Sequence, residues 1–295
     1  TSNNVDVADA YAEKITRFKD TYYYTYDKKL YPIGKRKIEI KYLQNGTLKT
    51  KVFDTFYTHN GPVMANRDGK WISLKHQNQN PKSLLQSWIG TKSKSFEEYQ
   101  SAMDLMANAS NNTVYADAKG NIAYWHGNFI PKRDTAYNWS LPVDATTSAT
   151  AWQGLHTVSE SIHIYNPSNG WLQNCNSTPF TAAGANSPKK SSYPAYMAPD
   201  GENFRGVAAL RLLNRPNKYD LDDVVTLGYD TYLPAFEILV PALIKAYDQL
   251  PADNVLKTEL KAPITELKQW NYHAATNSVA TTLAMEWAPR LSRAI

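Results

Sequence analysis

Cysteine is almost absent from this sequence. Among 295 residues only Cys175 occurs, which excludes an internal disulfide and any cysteine-built metal cluster and reads as a lone buried thiol. Long apolar runs are missing as well, since no stretch approaches the roughly 20 residues of a membrane-spanning helix. Charge of one sign is not concentrated. With 32 basic and 27 acidic residues the net charge is +5, and the densest basic runs, Lys35-Arg36-Lys37 and Lys189-Lys190, are short and isolated. They read as solvated surface rather than as a nucleic-acid footprint, which needs cations clustered on one face. The common chemical signatures are absent too. The six histidines form no HExxH, and there is no GxSxG, no phosphate loop and no GxGxxG. Composition and spacing by themselves name no reaction.

What is present is a change of regime along the chain. Residues up to about 180 are strand-rich: Ile38-Glu39-Ile40-Lys41-Tyr42 alternates, turns at Gln44-Asn45-Gly46 and returns as Leu48 to Tyr57, a hairpin pattern. A second hairpin is expected around Ala118-Lys119-Gly120-Asn121, with strand formers Val114, Tyr115, Ile122, Ala123, Tyr124 and Trp125 on its arms. Both arms are apolar enough to suggest a central pair buried on two faces. One helix interrupts the strands, opened by the capping box Ser95-Phe96-Glu97-Glu98 and carrying Tyr99, Met103 and Met106 on one face. Residues 178–199, rich in Ser, Ala, Pro and Lys, read as a long loop. From Asn203 onward the pattern is helical, with Asp220 capping Leu221–Tyr229 and further helices around Ala235–Leu250 and Asn254–Trp270. The expected division is therefore 1–200, strand-rich, and 201–295, helical. Thr1-Ser2-Asn3-Asn4 does not read as a leader and the helical pattern of Glu286–Ile295 breaks off, so the chain reads as a piece of something larger.

The stretch "NNTVYADAKGNIAYWHGNFIPKR" (Asn111–Arg133) resembles the signature segment of the penicillin acylase (penicillin amidase) family. Further segments similar to that family follow its order: "HNGPV" (His59–Val63), "LPVD" (Leu141–Asp144), "WQGL" (Trp152–Leu155), "YNPSNGWLQNCNSTP" (Tyr165–Pro179) and "YMAPDGENFRG" (Tyr196–Gly206). Near the start, "VDVADAYAEKI" (Val5–Ile15) resembles the acidic segment after the family's oxyanion loop. The resemblance spans residues 1 to about 215.

It implies an α+β fold, part of the four-layer α/β/β/α sandwich of the N-terminal nucleophile hydrolases. It also implies an amidohydrolase made as a precursor that cuts itself into two chains. The new first residue of the long chain, a serine, attacks an amide carbonyl with its own α-amino group as base, a group that titrates near neutrality. That serine is not in this chain. Thr1 is not its counterpart, because the match to "VDVADAYAEKI" places Thr1 several tens of residues further on. By the same resemblance, the backbone N–H of Ser2 and the side chain of Asn176 are the two oxyanion donors, and Arg205 orients catalytic groups. Asn111 falls where relatives line the acyl pocket with an apolar residue. Asp6 and Asp9 align with calcium ligands of some relatives, whereas Met197 stands where a further carboxylate is expected. The implied partners are the remainder of the precursor and a small acylated amine: a β-lactam, an N-acyl homoserine lactone or a lipopeptide. No cofactor is implied for catalysis, no nucleic acid is implied, and the implied location is periplasmic or secreted. A non-catalytic module that binds ligands on exposed aromatics is the competing reading.

Overall fold

The computed structural model describes residues 7–76, 80–108, 111–215 and 218–291; Ser2 and Asp6 lie outside the described residues. The chain divides into two compact units, the first ending at Gly201 and the second beginning at Glu202. The fold class is α+β, with the strands in the first unit.

In that unit β1 (Ala8–Glu13) alternates strictly, burying Asp9, Tyr11 and Glu13. β2 (Ile15–Phe18), β3 (Thr21–Tyr26) and β4 (Lys29–Pro32) form a small antiparallel sheet of their own. β5 (Gly34–Gln44) and β6 (Thr47–Thr58) make the long hairpin expected from the sequence, turning at Asn45 and Gly46 with φ of 51° and 77°. That left-handed pair is what a two-residue hairpin turn needs to match the twist of its strands. The hairpin is exposed along most of its length, Ile40 and Val52 included, and Lys35 bridges to Asp54 at 2.8 Å.

β7 (Gly61–Arg67) and β8 (Lys70–His76) return the chain to β1. Gly61 opens β7 with φ of 131°, and a Cβ there would stand 2.2 Å from the Leu74 carbonyl oxygen. Only glycine lets these backbones approach so closely. Two helices follow, α1 (Pro81–Lys92) and α2 (Phe96–Met103). The first was not anticipated, although Asn80 caps it and Pro81 sits at its first position. The capping of α2 also differs in detail. Ser95 accepts from the Glu98 N–H, but the Glu98 carboxylate reaches one residue further back, to the Lys94 N–H at 2.7 Å.

β9 (Thr113–Ala116), β10 (Ile122–Trp125), β11 (Val143–Asp144) and β12 (His163–Tyr165) complete the unit. β10 lies between β12 and β9, while β11 joins the larger sheet in the order β11-β1-β8-β7-β6-β5. The second hairpin is thus present, but only β10 is buried on both faces. β9 is an edge strand with Val114 about half exposed, so the expectation of two buried arms is corrected. The Ser- and Ala-rich segment carries no α-helix or strand, as expected of a long loop, but it is partly buried. It folds as short 3-10 turns and buries Ala182, Ala183, Tyr196, Met197 and Ala198, because small side chains let it lie close against the strands.

The second unit holds α3 (Phe204–Leu213), α4 (Leu221–Gly228), α5 (Phe236–Asp248), α6 (Val255–Glu259), α7 (Lys261–Lys268) and α8 (Val279–Leu291). Its core is built on Phe236, Val240, Leu267, Trp270, Ala280 and Ala284. The single helix expected over Asn254–Trp270 is two, divided at Leu260.

Candidate functional site

The inward positions of β1 carry two carboxylates and a phenol where a core strand would carry aliphatic groups. Asp9 Oδ2 accepts from Arg133 Nε at 2.7 Å and from Trp152 Nε1 at 2.5 Å. Both charged side chains are almost fully buried. Lys75 stands directly across the ladder from Asp9 and lies over the Trp152 ring at 5.0 Å. Burial pushes the Lys75 ammonium below its ordinary range, and the Asp9 charge opposes that shift. The Arg133 backbone N–H donates to Tyr196 Oη, which also meets His156 Nε2 at 2.9 Å. Glu13, at the end of the strand, accepts through Oε1 from Thr58 Oγ1, Asn60 Nδ2 and Ser73 Oγ. Five separate sequence segments therefore converge on one strand face. Beside this junction lies a cavity of about 470 Å³ walled in part by Tyr137, Trp139, Tyr196 and Lys190.

Asn176 belongs to a second arrangement in the same unit. It is half-buried in a turn with φ of 54°, the left-handed region that asparagine enters more readily than most residues. The turn is tied down on both sides: Gln173 N–H donates to Ala182 O at 2.8 Å, and Thr178 N–H to Gly201 O at 3.1 Å. Beneath it, the Asn174 side chain hydrogen-bonds the hydroxyl of Tyr124, a fully buried residue of β10. That hydroxyl also lies 3.3 Å from His126 Nδ1. Burial pushes the His126 imidazolium down to about 4, so the ring is neutral over the physiological range. Cys175, between the two asparagines, is half-buried rather than the buried thiol expected.

The other sequence-derived positions are distributed as follows. Arg205 lies on the exposed first turn of α3 in the second unit, its backbone N–H donating to the cap Asn203 at 3.1 Å. Asn111 is exposed, whereas its neighbour Asn112 is buried and accepts from the Gly127 N–H at 3.1 Å. Asp9 is a core residue. For a metal ion its Oδ2 is already committed to Arg133 and Trp152, while Oδ1 is buried without a partner. Asp9 thus has one oxygen open to a cation that takes six to eight. Among the described residues no group of three His, Cys, Asp or Glu is gathered for a metal. Arg133, Trp152, Tyr124 and His126 were not singled out from the sequence. For Tyr124 and His126 the available signal was two polar side chains two residues apart on and just after a strand that otherwise reads as core; Arg133 and Trp152 lie outside the strands and carried no such signal.

Comparison with known proteins places the chain by family and fold. The sequence profile of the penicillin amidase family matches residues 1–295. Penicillin G acylase of Escherichia coli is 27% identical over 178 residues, which is 59% of this chain and 20% of that protein. A solved structure, the thermostable penicillin G acylase of Alcaligenes faecalis, superposes with a TM-score of 0.69 at 23% identity, covering 94% of this chain and 48% of its own. This chain therefore spans about half the length of the solved relative, and at that identity the likeness speaks for the fold. On the match along its whole length, the chain belongs to the penicillin amidase family.

Proposed function

We propose that this chain is part of a penicillin acylase-like hydrolase that cleaves the amide bond of an N-acylated small molecule. Its substrate class is a β-lactam, an N-acyl homoserine lactone or a lipopeptide. The serine nucleophile and its α-amino base come from residues outside this chain, in a precursor processed into two chains and located in the periplasm or outside the cell. Asn176 and the Ser2 backbone N–H hold the oxyanion, Arg205 orients the catalytic groups, and Asn111 borders the acyl group. Asp6 and Asp9 begin a structural calcium shell.

One observation carries the reading: Asn176 sits in a left-handed turn braced by backbone hydrogen bonds on both sides. An oxyanion donor must be held in place before charge develops, because a donor that reorganises during the reaction loses most of its effect. A turn pinned in this way meets that requirement.

The test is Asn176→Ala in the full-length protein. It is expected to lower kcat by about 10²–10³-fold with the fold intact, the usual effect of removing one such donor. The 295-residue chain alone is expected to be inert. Amide hydrolysis by the isolated chain would return Thr1 as nucleophile. No hydrolysis by the full-length protein, together with ligand binding in the aromatic-walled cavity, would favour the non-catalytic module instead.

A further inference from the structure

We propose that Tyr124 is a positioning residue for Asn176, acting through the Asn174 side chain and braced in turn by the buried His126 ring. The proposal rests on reading Asn176 as an oxyanion donor.

Tyr124 lies at the middle of β10, paired with Val114 on one side and Ile164 on the other, so its backbone is fixed in the centre of a three-stranded sheet. Its ring packs in a cluster with Ile164, Leu172, Ala182 and Ala183. Leu172 precedes the Asn174–Asn176 turn and the two alanines follow it, so the ring is wedged under both ends of the turn. The hydroxyl then reaches the turn itself by bonding the Asn174 side chain. A rigid strand thereby grips a loop by its polar interior.

His126 supplies the other half of the grip. It is two residues along the same strand direction and fully buried, with Nδ1 3.3 Å from the Tyr124 hydroxyl and Nε2 without a hydrogen-bond partner. The phenol oxygen accepts from the Asn174 amide, and the direction of its bond to His126 Nδ1 follows the imidazole tautomer. A protonated ring would make Nδ1 a donor in every case. Asp200 lies close enough for its charge to act on the Tyr124 hydroxyl, and burial pushes its own carboxyl upward. The segment that carries Asp200 is joined to the turn by the Thr178–Gly201 backbone bond. A buried tyrosine that merely satisfied its hydroxyl would need one partner. This one connects a strand, a turn and a buried imidazole.

The experiment is a double-mutant cycle in the full-length protein, with kcat and KM measured on the best-cleaved of a series of N-acyl 4-nitroanilides and thermal unfolding followed in parallel. Tyr124→Phe keeps the ring and removes only the hydroxyl. It is expected to lower kcat about tenfold with KM within about twofold, since a misplaced donor forfeits part of the roughly 10²–10³-fold effect of a deleted one. The pair Tyr124→Phe/Asn176→Ala is expected to be no slower than Asn176→Ala alone, because Tyr124 has nothing left to position. Asn174→Ala, which leaves the Tyr124 ring in its cluster, is expected to repeat the Tyr124→Phe result and serves in its place if that variant does not fold. Wild-type kcat for Asn174→Ala, or losses that multiply in the double variant, would overturn the proposal while leaving the role of Asn176 intact. Wild-type kcat for Asn176→Ala would overturn the underlying reading and the proposal with it.

Discussion

His126 takes a titratable ring to a place that water does not reach, and that has a measurable effect on stability. In the unfolded chain an imidazole takes up its proton near pH 6.5; in the folded protein burial lowers that point to about 4. Between these values the unfolded state binds more protons than the folded one. The stability contribution of the neutral ring is therefore complete above about pH 6.5 and is lost as the pH falls to about 4, by roughly 3 kcal/mol for a shift of this size. Urea unfolding at pH 7 and pH 4.5 is expected to show a fall that shrinks in His126→Gln. An equal fall in both proteins would mean that His126 is not the group responsible. The same scale explains why Asp9 was legible only in part. Its place in an acidic segment pointed to a metal, but the guanidinium that meets it stands 124 residues away in sequence. Removing either member of a buried pair costs about 3–5 kcal/mol, because the other is left charged and unpaired.

Among the elements, caps and turns were the most readable features, because their partners lie within a few residues. Asn45-Gly46 marked its hairpin, and Asp220 marked the start of α4, where its side chain accepts from the Asp223 N–H at 2.8 Å and Asp223 returns the bond at 3.1 Å. Replacing Asp220 with Ala removes a reciprocal cap and is expected to lower the unfolding free energy of the helical unit by about 1 kcal/mol, with Asp220→Asn losing less. Denaturant unfolding followed by far-UV circular dichroism reads this directly, and equal midpoints for all three proteins would show that water replaces the cap at no cost. Less readable were α1, whose one buried side chain is the polar Gln86, and the break at Leu260, whose signal is Pro263 in the first turn of α7, a residue that cannot continue a helix from α6. The two hairpin arms around Gly120 look alike in composition. Only the position of β12 decides that β10 is central and β9 an edge.

For the whole molecule the open question of physical chemistry is the ion. Asp9 Oδ1 can make one contact with a calcium ion, and Asp6 is proposed as a second ligand. An ion that binds only the folded state stabilises it by about 2.7 kcal/mol at a concentration 100 times its dissociation constant. The full-length protein is therefore expected to melt higher in calcium than in chelator, and Asp6→Asn is expected to abolish the difference. Superimposable melting curves, with no calcium retained after dialysis, would remove the metal from this fold. No helix among the described residues is long and apolar enough to cross a membrane.

By itself the sequence determined the local pieces and their order: the hairpins with their left-handed turns, the capped helices, the change from strands to helices near residue 200, and a string of motifs similar to one family. These follow from interactions a few residues long, or from the order of segments, and neither requires knowing what packs against what. Only the tertiary structure decided that Asp9 meets Arg133 and Trp152, that β10 is the buried arm, and that Tyr124 and His126 lie beneath the turn carrying Asn176. The physical reason is the same in each case. A buried polar group is stable only when a partner arrives to satisfy it, and these partners arrive from 40 to more than 100 residues away in the chain, across strands whose neighbours the sequence does not name.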